Sequence, residues 1–276
     1  VWTMMGPLAT EIAESLKATQ NFIMSADQSA TLVAIPVLAG AILRVVLGFF
    51  VDRVGAKKTA LVSQFIVVCG LFYAYFKGDT ITYDELLGVA FILGFAGASF
   101  AVALPQAGQW YPPKLQGVVL GLAGAGNIGV VIDFIFAPKI AEIWGWQSVF
   151  LVGAVLSLFI FVVYIFMAQD APETVYKSNP KKLKDYMKLL KDKDTWWFNL
   201  FYSISFGGFV GFAVYMKVYL MGTYKPEMTA FGLDIIAEPN VMVTAGYFGA
   251  LCIFAGAILR PVGGAIADKL GGIKSL

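Results

Sequence analysis

Apolar runs of membrane-crossing length alternate with short polar turns along the whole chain. The pattern predicts eight hydrophobic helices, at about 1–16, 30–51, 59–76, 85–105, 115–137, 147–168, 195–220 and 241–267. A run of roughly 20 apolar residues spans a bilayer core, and a spanning segment must satisfy its own backbone hydrogen bonds, so helices are expected throughout. Breaks fall at Lys77-Gly78-Asp79, Tyr111-Pro112-Pro113, Gly145-Trp146 and the polar stretch from Gln169 to Asp194. Within that stretch KKLKDYMKLLKDKD predicts a short amphipathic helix on the membrane surface; a solvated charge run that fixes topology explains it equally. The opening, VWTMMGPLATEIAESL, lacks a basic leader and reads as the second half of a membrane helix, so predicted helix 1 is expected to be truncated.

Composition agrees: 59% of the 276 residues are hydrophobic and 14% charged, as in a polytopic membrane protein set in a lipid bilayer. A net charge of +2, with the lysines spread over separate loops, leaves no basic face for nucleic acid. The absence of histidine excludes haem ligation, histidine metal sites and imidazole relays, and no cofactor or metal is expected. Cys69 and Cys252 fall in separate apolar runs, which suits buried small hydrophobes better than a disulfide. Thirteen of the 20 lysines and arginines follow the even-numbered helices, whereas five (Lys17, Lys77, Lys139, Lys217, Lys225) lie on the other side. By the positive-inside rule the even-numbered loops are cytoplasmic. The expected organisation is an N-terminal transmembrane bundle (1–168), a cytoplasmic linker (169–194) and the start of a C-terminal transmembrane bundle (195–276), in the inner or plasma membrane.

The two remaining cations belong to an internal repeat. Ala39 to Lys58 reads AGAILRVVLGFFVDRVGAKK, and Ala255 to Lys274 reads AGAILRPVGGAIADKLGGIK, which carries Arg44 onto Arg260, Gly48 onto Gly264, Asp52 onto Asp268 and Gly55 onto Gly271. Arg44 lies eight residues before Asp52, hence about 12 Å inside a core about 30 Å thick. An arginine at that depth costs from about 3 to about 17 kcal/mol if it faces lipid, so each must face a cavity or a partner. Pairing with an internal carboxylate, or snorkelling to the surface, is the structural alternative. Two guanidinium groups converging at midplane instead make a site for a small planar oxyanion, gripped by forked donors that lysine cannot reproduce.

The repeated loop, Gly48-Phe-Phe-Val-Asp52-Arg53-Val-Gly55-Ala-Lys57-Lys58 with its counterpart Gly264-Ala-Ile-Ala-Asp268-Lys269-Leu-Gly271, resembles the signature of major facilitator transporters. Its aspartates are expected to cap the next helix or to bridge to a neighbouring bundle. Parallel six-helix repeats with a site between them are the plan of that superfamily. The fold implied is an all-α major facilitator fold with a six-helix N-terminal bundle and the first two helices of the C-terminal bundle, a fragment that would continue for about four more helices.

Predicted helix 5 narrows the resemblance. Its glycines and alanines allow another helix or a ligand to approach closely, and spacing alone leaves simple helix packing open, with Asn127 as glue. The run AGAGNIG, however, resembles the nitrate signature of the nitrate/nitrite porter family, and VWTMMGPLAT, FAVALPQAGQWYPPKLQGVVLGL, GWQSVF and FYSISFGGFVGF resemble further segments of it. The resemblance implies that Arg44 and Arg260 bind nitrate or nitrite, that Asn127 is the signature asparagine, that Tyr202 contacts substrate and that Phe206 and Phe100 stack on it. Where the family offers an aromatic in helix 1, this chain has Met4 and Met5. Asp133, six residues after Asn127, has two readings: a proton carrier for nitrate/proton symport, or a carboxylate paired with lysine or facing the outer vestibule. Glu11 and Glu14 read as helix-end charges.

The expected function is secondary active transport of nitrate or nitrite by alternating access, by a monomer and without enzymatic activity. Protons are a possible co-substrate. The rivals are a transporter of another small oxyanion or organic anion, and a nitrate sensor that binds without transporting.

Overall fold

The computed structural model describes residues 1–172, 183–211, 219 and 241–275. Their helices are α1 (Met5–Gln20), α2 (Ala26–Val54), α3 (Ala56–Lys77), α4 (Tyr83–Ala98), α5 (Phe100–Trp110), α6 (Gln116–Gly124), α7 (Ile128–Trp144), α8 (Trp146–Met167), α9 (Leu183–Leu189), α10 (Lys193–Tyr202), α11 (Val241–Leu270) and α12 (Gly272–Ser275). Among the described residues all regular structure is helical. Five segments of the described residues are long and apolar enough to cross a membrane: Ala26–Val54, Ala56–Thr80, Tyr83–Trp110, Pro113–Trp144 and Trp146–Met167.

Capping explains where two of these begin. Ser25 and Gln28 bond reciprocally at the start of α2, and Thr82 and Glu85 do the same at α4, so orphan amides of both first turns are satisfied. At the opposite end of α2 the chain turns through Gly55 at φ 96°, and its repeat partner Gly271 after α11 turns at φ 88°. Side chains resist that region, so the duplicated loop keeps glycine at both turns.

Two of the predicted helices are interrupted. The fourth breaks at Ser99, whose hydroxyl donates to the Ala96 carbonyl at 2.7 Å, dividing it into α4 and α5. The fifth is α6 and α7 joined by a 3-10 turn over Ala125–Asn127, and it continues to Trp144, beyond the expected 137.

The main core lies between α1, α3, α4, α7 and α8, with Leu8, Ile12, Leu71, Leu93 and Phe150 fully buried. Glycine sets how closely α2 and α4 meet, because a Cβ at Gly94 would lie 2.5 Å from Ala39 Cβ and 2.9 Å from Gly40 N. Large apolar residues also cover the outside, Val45, Phe76, Phe159 and Phe166 among them. In water such a surface would drive aggregation; facing lipid it is what a spanning bundle requires. Cys69 belongs to this exterior. It is free and exposed, which corrects the expectation of burial: beside a bilayer, an apolar position need not point inward.

The expected linker is partly described. Asp170 Oδ1 accepts from Lys57 N at 2.8 Å and thus caps α3, and Tyr186 on α9 donates to the Asp52 carboxylate. Residues 173–182, with Lys177, Lys181 and Lys182, lie outside the described residues, as does predicted helix 7 beyond Gly211 apart from residue 219, with Lys217 and Lys225.

Candidate functional site

Arg44 projects from the middle of α2 and donates from Nε and Nη2 to the Gly97 carbonyl, both at 3.3 Å. Arg260, on α11, donates from Nη1 to the Gly124 carbonyl at 2.8 Å. With the Asn127 amide turned so that Oδ1 faces the guanidinium, the orientation that satisfies both groups, it also accepts from Arg260 Nη2 at 3.1 Å and Nη1 at 2.5 Å. Asn127 is buried, so this pairing removes an otherwise costly orphan. Among the described residues neither arginine forms an ion pair with a carboxylate. That removes one structural alternative for them.

Phe206 stands between the two cations, its ring centroid 4.7 Å from Arg44 Cζ and 5.6 Å from Arg260 Cζ. Both distances fall within the range where a guanidinium is attracted to an aromatic face. Phe100 lies 6.1 Å from Phe206 and 5.7 Å from Arg44, and Tyr202 stacks on Phe206 at 5.1 Å with an interplanar angle of 6°. Tyr202 precedes, and Phe206 lies within, a π-helical turn over Ser203–Gly207, a wide turn of the kind common at functional sites. The structure therefore brings Arg44, Arg260, Asn127, Phe100, Tyr202 and Phe206 together.

Close packing holds α11 against α6. A Cβ at Gly117 would lie 2.2 Å from the Gly264 carbonyl oxygen, one at Gly121 2.7 Å from the Arg260 carbonyl oxygen, and one at Gly124 3.2 Å from Arg260 Cδ. Gly126 and Gly129 have nothing within 4 Å of such an atom and line a cavity of about 380 Å³ with Asn127 and Asp133. The glycine-rich run thus does both things its composition allowed, packing a helix with one set of glycines and leaving open space with the other.

The loop motif divides as well. Asp268 reaches across to the first turn of α6, where Oδ1 accepts from Gly117 N at 2.7 Å and Oδ2 from Val118 N at 2.9 Å. Its partner Asp52 is held by Tyr186 of α9, and Arg53 lies over the Phe49 ring at 3.6 Å. Gly48 and Gly271 have open space around them among the described residues. Asp133 accepts from Thr3 Oγ1 at 2.9 Å and sits apart from both guanidinium groups, facing the cavity it shares with Asn127. Met4 and Met5 are buried in the main core, away from the arginines.

Four contributors escaped the sequence. The carbonyls of Gly97 and Gly124 carry no residue-type signal, although the small-residue run around Gly97 marks a close approach. Phe209 lies 5.1 Å from Arg260 Cζ, three residues past Phe206. Trp2 lines a cavity of about 650 Å³ together with Arg44 and Phe206.

The profile of the Major Facilitator Superfamily matches residues 1–276. The chain is 28% identical over 276 residues to the "Nitrite extrusion protein" of Bacillus subtilis (strain 168), covering 100% of this chain and 63% of that protein. It is 32% identical over 277 residues to the "Probable nitrate transporter NarT" of Staphylococcus carnosus (strain TM300), covering 100% of this chain and 64% of the relative. These names bear out the resemblance to nitrate/nitrite porters, and the chain spans just under two thirds of either relative. Among solved structures it is similar to the xylose transporter XylE from E. coli in a partially occluded inward open conformation, with 13% identity, a TM-score of 0.48, and 98% of this chain and 88% of that one covered.

Proposed function

The chain belongs to the Major Facilitator Superfamily, and we propose that it forms the core of a transporter that moves nitrate or nitrite by alternating access, the anion held between Arg44 and Arg260. The observation that carries this reading is the pair of guanidinium groups, without a carboxylate ion pair among the described residues and sharing the Phe206 ring. A planar monovalent anion fits such a frame. It can accept forked hydrogen bonds from both sides in its plane and lay its flat face on an aromatic ring.

Both tethers of the arginines end on the first half of the chain. Arg44 is bound within that half, to Gly97, whereas Arg260 comes from the second half and grips Gly124 and Asn127 of the first. Rocking of one half against the other must therefore break the Arg260 bonds, and an anion between the arginines can supply replacements. Because the carbonyls and Phe206 already neutralise part of the repulsion between the cations, the empty site is less strained than two bare like charges would be. An anion then acts by exchanging partners as much as by cancelling charge.

Asp268 is the cytoplasmic latch in this account. Each hydrogen bond to its carboxylate is worth about 1.5–3 kcal/mol. Asp268→Asn keeps one acceptor, loses the charge and should favour the arrangement with the cytoplasmic ends parted. In an otherwise cysteine-free full-length protein, a cysteine at Val118 is then expected to react with a maleimide about tenfold faster. An unchanged rate would remove Asp268 from the latch.

Asp133, which lines the cavity with Asn127, is the proposed proton carrier. Asp133→Asn is expected to abolish nitrate uptake driven by a proton gradient while exchange of nitrate for nitrite persists. Proton-driven uptake at the wild-type rate would leave it a structural partner of Thr3.

The reading is tested by calorimetric titration of the purified full-length protein with nitrate, nitrite, phosphate and acetate. Saturable binding of nitrate or nitrite alone supports it. Tighter binding of phosphate or acetate would favour the rival, a transporter of another small oxyanion or organic anion.

A further inference from the structure

The two arginines are not held alike. Arg260 has a 2.8 Å bond to Gly124 and the Asn127 amide, whereas both bonds of Arg44 go to one carbonyl at 3.3 Å, beyond the ordinary N–H···O range. The direction of the Arg44 fork therefore depends on where that single carbonyl is held. The residue that donates that carbonyl, Gly97, is enclosed on two sides. A Cβ at Gly97 would lie 2.7 Å from Trp2 Cε3 and 3.1 Å from Trp2 Cδ2, so the indole rests directly on the glycine backbone. From α2, a Cβ at Gly40 would approach the Gly97 Cα to 3.6 Å.

Trp2 also lies between two cavities. It lines the space of about 650 Å³ that contains Arg44 and Phe206, and the space of about 380 Å³ that contains Asn127 and Asp133. The next residue, Thr3, donates to Asp133 on the second side. Successive residues of one turn therefore serve the two sides of a single partition.

Resting on the nitrate/nitrite reading above, we propose that Trp2 is a positioning and specificity residue: its indole sets the Gly97 carbonyl that aims Arg44 and forms a flat apolar wall of the anion cavity. Trp2, Arg44 and Phe206 line one cavity, so a planar anion on the free edge of Arg44 can lay its faces on aromatic rings. A tetrahedral anion of the same charge has no flat face to offer them. Removing the indole joins the two cavities, frees the carbonyl and lets the fork swing.

The test is nitrate uptake by the full-length protein in liposomes, with perchlorate as the tetrahedral competitor, for wild type, Trp2→Ala and Trp2→Phe. Trp2→Ala is expected to raise the nitrate KM about tenfold with the maximal rate per folded protein held within about twofold, since ground-state and transition-state binding are lost together. Perchlorate should inhibit Trp2→Ala and spare wild type, and Trp2→Phe, which keeps a flat ring, should recover most of both properties. A lower maximal rate with KM and perchlorate sensitivity unmoved would make Trp2 a packing residue and overturn the proposal, as would failure of Trp2→Phe to recover KM. No nitrate uptake by wild type would overturn the substrate reading and this inference with it; uptake by wild type with an unaltered KM in Trp2→Ala overturns this inference alone.

Discussion

Arg260→Lys is expected to abolish measurable nitrate binding while leaving the protein folded and inserted. The guanidinium donates to Gly124, engages buried Asn127 and faces both Phe206 and Phe209. An ammonium on a flexible stem can satisfy one of these partners at a time, and it presents no planar fork to an anion. Each charge-assisted bond lost is worth about 1.5–3 kcal/mol, so losing two weakens binding by at least about a hundredfold. Arg44→Lys should also remove binding, but with less effect on stability, because the bonds it gives up are the longer ones to Gly97. Titration of each purified variant with nitrate, alongside its thermal unfolding, separates the two effects. Affinity within about threefold of wild type in either variant would take that arginine out of the site.

The second large effect is expected at Gly117, far from the anion. A β-carbon there would sit 2.2 Å from the Gly264 carbonyl oxygen and 2.6 Å from Asp268 Oδ1. The first of these is helix backbone, which cannot move aside as the tip of a side chain can. Gly117→Val must therefore push α6 and α11 apart at the ends where Asp268 ties them. Overpacking commonly costs about 1–3 kcal/mol, and here the cost falls on the one arrangement in which these ends touch. Transport is expected to fall at least about tenfold, with the face that carries Asp268 held open, since a one-sided population shift stalls the cycle. Gly129→Ala is the control: nothing lies within 4 Å of its added carbon, and uptake should stay near wild type. Equal loss in both variants would mean that the glycines matter for a reason other than this contact.

What the sequence made legible was whatever carries a large energetic signature by residue type. A charge in an apolar run is expensive wherever it is placed, and Arg44 and Arg260 stood out for that reason before any contact was known. The repeat added their symmetry, and Gly55 and Gly271 do turn the chain in the same way. The aromatic set came through resemblance; no periodicity separates Phe206 from the other phenylalanines of its helix. The anchors of the arginines were hidden because every residue has a carbonyl, and only tertiary packing selects those of Gly97 and Gly124. The same holds for Asp268: a cap on the next helix and a bridge to a neighbouring bundle were both open, and the choice of Gly117 and Val118 as donors depends on how α11 lies against α6. Trp2 was hidden because its role depends on what faces Gly97, which only tertiary packing decides. Cys69 was misplaced by applying the inward rule of soluble cores to a chain whose apolar exterior meets lipid.

The central claim, that nitrate or nitrite crosses the membrane through this site, is tested most directly by following labelled nitrate into liposomes that hold the full-length protein and contain nitrite. The account predicts saturable entry that external nitrite inhibits and that Arg44→Lys and Arg260→Lys eliminate. No entry above protein-free liposomes, with nitrite inside or with an inward proton gradient imposed, would contradict it.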